Sequence, residues 1–186
     1  MRKIIVSEMI SIDGYYKDAE DKIEWHIVDE DFNAFASEFE KTVDTILFGR
    51  KTYQMFESYW PVALNEPEKI ADDQDIAQFI VDAKKVVISK SLDKVTWNNS
   101  VLIKDNVVEE IKKLKEEEGK DIVVYGSGSI VKMLQDEGLI DEYIIIVSPT
   151  ILGKGKSMFE GVDMQRLKLK ETRKFGNGNF VLWYEK

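Results

Sequence analysis

The chain has 186 residues, 44% of them hydrophobic and 33% charged, with a formal net charge of −9 and no cysteine. This balance suits a single globular domain with a substantial apolar core. It excludes disulfides, thiolate metal sites and cysteine nucleophiles, and the acidic excess without a basic face argues against a nucleic-acid partner.

Lys3 to Ile12 reads as a first strand, closed by the turn pair Asp13-Gly14. Its apolar run is short and broken by Ser7 and Glu8, so neither a secretory leader nor a membrane span is expected, and the chain reads as cytoplasmic. From Asp29 to Val43 an apolar stripe of Phe32, Phe35, Ala36, Phe39 and Val43 falls at helical spacing. Asp29, Glu30 and Asp31 crowd its first turn, where the helix dipole favours acids. Thr45 to Phe48 is a short buried strand, and a helix follows from Arg50 to about Ser58, where Trp60-Pro61 is expected to end it. Asn65 to Asp75 is polar and reads as a surface loop, and Ile76, Phe79, Ile80 and Ala83 form the next helical stripe.

Strands are expected at Lys85 to Ser89 and Val101 to Lys104, then a helix from Val107 to Glu118 with Gly119 as its C′ residue. The mixed charges from Lys112 to Glu118 suit a solvated helix face. A strand at Ile122 to Tyr125 leads through a glycine loop into a helix from Ser129 to Glu137, stopped by Gly138. Glu142 to Val147 is a strongly apolar strand. Leu167 to Phe175 and Phe180 to Glu185 flank Gly176-Asn177-Gly178-Asn179, the pattern of an antiparallel hairpin. The expected class is α/β: a mixed, mostly parallel central sheet with helices on both faces and a C-terminal antiparallel hairpin.

In such sheets ligands bind at the carboxyl ends of the strands, and here those ends carry unusual residues. Gly49-Arg50-Lys51-Thr52 stands where a strand passes into a helix, whose unpaired N–H groups and positive dipole end favour phosphate. Ser89-Lys90-Ser91 follows another strand with a cation between two hydroxyls. Gly126-Ser127-Gly128-Ser129-Ile130 opens a helix after a third. It is not the Rossmann fingerprint, because Val131 stands where the third glycine belongs and Ile145 and Ile146 where an acidic residue would hold the ribose. A ligand touching these loops together is long and carries several phosphates, which NADPH satisfies.

Gly49-Arg50-Lys51-Thr52-Tyr53 resembles the G-R-x-T motif of dihydrofolate reductase. Ser11-Ile12-Asp13-Gly14, Leu139-Ile140-Asp141-Glu142 and Pro149-Thr150-Ile151-Leu152-Gly153-Lys154-Gly155 with Phe159 resemble patterns of a closer relative. That relative is the reductase domain of the bifunctional riboflavin-biosynthesis deaminase–reductase, within the dihydrofolate reductase-like superfamily. The resemblance implies that fold, with NADPH along the carboxyl edge of the sheet. Gly49 to Thr52 would lie on the pyrophosphate and the 2′-phosphate side, Ser89 and Lys90 at the 2′-phosphate and adenosine end, and Gly126 to Ile130 along the pyrophosphate and nicotinamide. It further implies a small heterocyclic substrate and a homodimer. A cis peptide at Gly126-Ser127 is the counterpart of one found in the family. Asp13 is the candidate proton donor, and Asp13, Trp25, Glu30 and Phe56 are the candidate substrate contacts. The alternatives are a true dihydrofolate reductase, or a non-catalytic nucleotide-binding protein that keeps the fold.

Overall fold

Side chains along a strand alternate between its two faces, and here that alternation assigns each apolar residue to one of two cores. The computed structural model describes residues 1–66, 68 and 74–186. Its elements are β1 (Ile4–Ser11), β2 (Tyr15–Asp18), α1 (Glu30–Glu40), β3 (Val43–Gly49), α2 (Arg50–Asn65), α3 (Gln74–Asp82), β4 (Lys84–Ile88), β5 (Ser100–Ile103), α4 (Val107–Glu116), β6 (Asp121–Val124), α5 (Gly128–Asp136), β7 (Glu142–Ser148), β8 (Gly155–Ser157), β9 (Lys168–Lys174) and β10 (Phe180–Glu185).

An eight-stranded sheet has the order β5-β4-β3-β6-β1-β7-β10-β9. The pairings from β5 through β7 are parallel, and β10 and β9 add an antiparallel pair at one side. Ile4, Val6, Leu47, Ile122, Val124 and Ile145 pack with Ile111, Leu114, Ile130 and Leu134 of α4 and α5. Ile5, Ile46, Phe48, Val123, Ile144 and Ile146 pack with Phe35, Phe39, Tyr53, Ile76 and Ile80 of α1, α2 and α3. This is the three-layer arrangement expected.

Several expectations need correction. Val43 opens β3 rather than ending α1, because the chain turns after Lys41 and Val43 joins the buried strand pattern. Pro61 does not stop α2, which runs on to Asn65. Proline removes a backbone hydrogen bond there, but Trp60 and Phe56 bury their rings against each other, centroids 5.9 Å apart, so packing outweighs the local signal. Helix α4 ends at Glu116 with an extended Glu117 at its C-cap, so Gly119 is not its C′ residue. The stretch expected as a loop from Asn65 to Asp75 starts in α2 and ends in α3, and residues 67 and 69–73 lie outside those described. A small ribbon, β2 with β8, was not expected. Strand β7, strongly apolar in sequence, sits between β1 and β10 and belongs to the core.

Candidate active site

Because β4, β3, β6 and β1 are parallel neighbours, their carboxyl ends share one edge, with adjacent strands about 4.8 Å apart. Two of these ends pass directly into helices. Gly49 is the N-cap of α2 and Ser127 that of α5, and neither supplies a side-chain capping bond. The two turns touch: the Gly49 N–H donates to the Gly126 carbonyl at 3.1 Å. A Cβ on Gly49 would stand 2.6 Å from Ser127 Oγ and 3.1 Å from Ile130 Cγ1. The requirement for glycine at this position is close approach, since its φ of −83° is open to any residue. Two positive helix ends therefore lie side by side, an arrangement suited to an anion.

The surrounding side chains divide. Arg50 is exposed and Thr52 buried. Lys51 leans to Asp21 at 3.3 Å, and Asp21 also pairs with Lys156 of β8. Ser127 and Ser129 hydroxyls are 2.9 Å apart. Ser89, one strand further along, accepts from the N–H groups of Ser91 and Leu92 at 3.2 Å each, which fixes its turn and leaves Lys90 exposed beside it. The peptide between Gly126 and Ser127 is cis, and Gly126 has a φ of +91°.

Thr52 connects this edge to a cavity of about 670 Å³ enclosed by β1, β2, the segment 23–28, α1, α2, α3 and the end of β6. Aromatic rings dominate its wall. Phe56 stacks on Tyr125 with centroids 5.9 Å apart and an interplanar angle of 24°, and Phe32, Phe35, Phe39 and Trp60 continue the surface. A shallower depression of about 250 Å³ lies between α1 and β9, lined by Asp31, Glu38 and Arg173; it is bordered by ion-paired side chains.

Polar groups are few in the larger cavity and strongly perturbed. Glu8, in the middle of β1, faces it. A Gly126 Cβ would stand 3.3 Å from Glu8 Oε2 and 3.6 Å from Thr52 Oγ1, so the carboxyl sits against the cis turn. Burial pushes the Glu8 carboxyl up to about 8, against the opposing pull of the Lys17 ammonium. It is thus largely protonated near neutrality. The Tyr125 hydroxyl hydrogen-bonds the buried Glu40 carboxylate, and burial, reinforced by that carboxylate, raises the phenol. Burial, with Lys17 nearby, lowers His26 to about 4, so it is neutral at pH 7. Its Nε2, like Trp25 Nε1, is buried without a hydrogen-bond partner among the described residues.

The structure thus gathers Gly49, Arg50, Thr52 and Gly126 to Ile130 at one edge, with Ser89 and Lys90 a strand away and Phe56 in the cavity wall. Asp13 lies elsewhere. Its exposed carboxylate accepts from Ser11 Oγ at 2.7 Å and from the Leu152 and Gly153 N–H groups at 3.1 and 2.7 Å. The Ser11 bond and then the backbone bonds hold it below the usual carboxylate range. It clasps the turn after β1 to the segment after β7, and a proton donor needs the opposite shift. Glu30 is exposed at the start of α1 and does not line the cavity. Trp25 stands beside the cavity with its ring 4.5 Å from His26, edge to face. Glu8, Glu40 and Tyr125 were missed. A signal for Glu8 was present: a lone carboxylate inside a strand whose other residues are apolar or serine.

No helix among the described residues is long and apolar enough to cross a membrane. The model of a family described as the RibD C-terminal domain matches residues 2–181. The uncharacterized protein YyaP of Bacillus subtilis is 32% identical over 98% of this chain and 94% of its own length. A diaminohydroxyphosphoribosylaminopyrimidine deaminase/5-amino-6-(5-phosphoribosylamino)uracil reductase from Thermotoga maritima superposes with a TM-score of 0.70 at 16% identity, covering 99% of this chain and 56% of that one. Dihydrofolate reductase from Enterococcus faecalis, complexed with NADP(H), superposes with a TM-score of 0.65 at 15% identity over 98% and 95% of the two chains. At these identities both solved structures are likenesses of fold, and the fold is dihydrofolate reductase-like.

Proposed function

The chain belongs to the RibD C-terminal domain family, and from that premise we propose that it is an NADPH-dependent reductase of a C=N or C=O bond in a small heterocycle, pyrimidine- or pterin-like. One observation carries the reading. Two helix N-termini without side-chain caps meet at adjacent strand ends, and Thr52 joins them to an aromatic cavity that holds a half-buried, largely protonated Glu8.

The residues fit a phosphorylated dinucleotide. Gly49 to Thr52 and Gly126 to Ile130 would hold the pyrophosphate on backbone N–H groups and hydroxyls, and Arg50, Ser89 and Lys90 the 2′-phosphate end. The bound nicotinamide supplies a hydride. The protein's own contribution is position and a proton. Phe56 and Tyr125 offer a flat wall for a planar ring. Glu8 holds its proton near neutral pH and stands where the cavity meets the Gly126 turn, so it donates to the substrate atom adjoining the reduced carbon. Solvent then returns the proton to the carboxylate.

Calorimetric titration of NADPH and NADH tests the cofactor side. Arg50→Ala combined with Lys90→Ala is expected to weaken NADPH by roughly 1.5–3 kcal/mol for each charged hydrogen bond to phosphate that is removed, with NADH little changed. Equal losses for both cofactors would remove these cations from the 2′-phosphate. Cofactor oxidation across a panel of pyrimidines, pterins and small carbonyl compounds tests the chemistry, and binding without turnover on any of them would leave only a nucleotide-binding protein.

A further inference from the structure

We propose that the Asp21 carboxylate competes with a polyphosphate ligand for Lys51, so that the ribbon of β2 and β8 limits the affinity of the α2 end for anions. This deepens the reductase reading and rests on it for the anion's place at that end.

Lys51 Nζ lies 3.3 Å from Asp21 Oδ2, and Lys156 Nζ of β8 bonds Asp21 Oδ1. One carboxylate thus joins the first turn of α2 to the ribbon. The turn that carries it is tightly fixed. Asp18 Oδ1 accepts from the Glu20 and Lys22 N–H groups at 2.8 and 2.9 Å, and the Asp18 carbonyl accepts from the Asp21 N–H at 3.2 Å. Asp21 itself has a φ of +67°, in the left-handed region where glycine is the default and aspartate a tolerated exception. Glycine would close the same turn with less strain, and what aspartate adds is the carboxylate that the two lysines hold. The ribbon also reaches the second helix end. A Cβ on Gly128, the first residue of α5, would stand 3.4 Å from Tyr16 Oη of β2 and 3.5 Å from the Met158 carbonyl oxygen just after β8.

Lys51 is the second residue of α2, so its backbone N–H is among the unpaired groups of that helix end, and its ammonium rises from the same turn. A phosphate at that end draws on the ammonium that Asp21 already holds. An ammonium has three donors, yet sharing it would set two anions side by side, and like charges oppose one another. The Lys156 bond above all, with the Lys51 bond adding to it, holds the Asp21 carboxyl below its usual range, so it is ionised at neutral pH. Lys156 remains as its partner when Lys51 turns away, which keeps the exchange inexpensive. Lys51 and Asp21 are 61% and 38% exposed, so water screens the pair and the effect on affinity is modest.

The test is a double-mutant cycle on the whole chain at low salt. NADPH and inorganic pyrophosphate are each titrated by calorimetry into the parent, Asp21→Asn, Lys51→Met and the double variant. Asp21→Asn is expected to tighten both ligands about 2- to 5-fold when Lys51 is present, and by less in the Lys51→Met background, because the exchange needs the lysine. Equal gains with and without Lys51 overturn the proposal, since they make Asp21 a charge acting through space. An affinity unchanged in Asp21→Asn overturns it as well. NADPH binding with equal gains sinks this inference and leaves the reductase reading. The coupled gain with pyrophosphate in a protein that does not bind NADPH does the reverse, and failure of both ligands to bind sinks both.

Discussion

The two edges of the parallel sheet both carry polar residues and use them in opposite ways. At the amino edge, charges answer one another. Arg2 pairs with Asp44 and donates to Thr45 Oγ1 at 2.6 Å. Asp141 accepts from the Ile4 N–H and from Lys115 Nζ, at 2.7 and 2.6 Å. Lys85, wholly buried at the start of β4, donates to the Val81 and Ala83 carbonyls at the end of α3 and lies over the Trp97 ring. At the carboxyl edge, helix ends are left without side-chain caps, and the half-buried Glu8 carboxyl has no ammonium bonded to it among the described residues. Groups satisfied within the chain stabilise the fold, and groups preorganised but left open are where a ligand does the satisfying.

The strongest way to break this contrast is to remove the most heavily bonded carboxylate of the amino edge. The buried Glu142 carboxylate accepts from Lys3 Nζ at 2.5 Å, Lys170 Nζ at 2.9 Å and Trp183 Nε1 at 2.6 Å. Burial would push it up, and those three bonds overcome burial and keep it below the usual range. Glu142→Ala leaves those donors without their acceptor. The lysines are partly exposed, at 50% and 38%, and recover some hydration, so the expected loss is about 2–4 kcal/mol in urea denaturation. NADPH affinity per folded molecule is expected to stay unchanged. A stable Glu142→Ala protein with weakened NADPH binding would erase the distinction between the edges.

The carboxyl edge makes a second, pH-dependent prediction. Glu8 is raised from 4.5 to about 8, so between those values the folded chain binds more protons than the unfolded chain and stability falls as pH rises. His26, lowered from 6.5 to about 4, acts oppositely, adding stability as pH rises between those two values. Lys85, lowered from 10.5 to about 8 chiefly by burial, adds stability as pH rises between those values. From 6.5 to 8 Glu8 makes the largest contribution, partly offset by the upper end of the His26 titration and the onset of that of Lys85, and Lys17, Glu40 and Tyr125 share its cavity. A net fall of about 1 kcal/mol across that window is expected, replaced by a slight rise in Glu8→Gln. An unchanged slope in Glu8→Gln would mean that this carboxyl ionises like an exposed one.

The difference between the edges also explains what the sequence could reveal. Strands, helices and the C-terminal hairpin were legible because their apolar residues repeat at periods of 2 or 3.6. Gly49 and Gly126 were legible because a glycine between a strand and a helix has few other reasons to be there. Glu8 was seen only as a break in an apolar run. Its meaning depends on β1 lying between β6 and β7, which makes a carboxylate there exceptional. The Glu40–Tyr125 pair joins α1 to the end of β6, and no local pattern links residues so far apart. Asp13 misled for the converse reason. An aspartate before a glycine at a strand end looks available, and its partners Leu152 and Gly153 come from a distant segment.

A smaller effect is expected where the two helix ends touch. Gly49→Ala places a methyl 2.6 Å from Ser127 Oγ and 3.1 Å from Ile130 Cγ1. The serine can rotate, and the backbone conformation is ordinary, so the stability cost is about 1 kcal/mol. NADPH affinity is expected to fall about 10-fold, because Ser127 would be displaced from the helix end proposed to hold the pyrophosphate. Calorimetry beside thermal denaturation separates the two readouts. A variant that loses stability and keeps its affinity would make Gly49 a packing residue only.

The mildest expected effect is at Asp13, and it decides between two proton donors. Asp13 and Glu8 both belong to the first strand and the turn that follows it, and in sequence only the former was a candidate acid. Their environments differ in sign: hydrogen bonds from Ser11, Leu152 and Gly153 hold Asp13 ionised, and burial holds Glu8 protonated. A general acid must carry its proton at the working pH and touch the substrate space, and Glu8 alone lines the cavity. Asp13→Asn is therefore expected to lower Tm slightly, by loosening the clasp on residues 152 and 153, with kcat within about 2-fold of the parent. Glu8→Gln is expected to lower kcat by roughly 10²–10⁴ with KM less affected. The reverse pattern, with turnover lost in Asp13→Asn and kept in Glu8→Gln, would return the proton to the turn after β1 and leave the Glu8 carboxyl as a binding group alone.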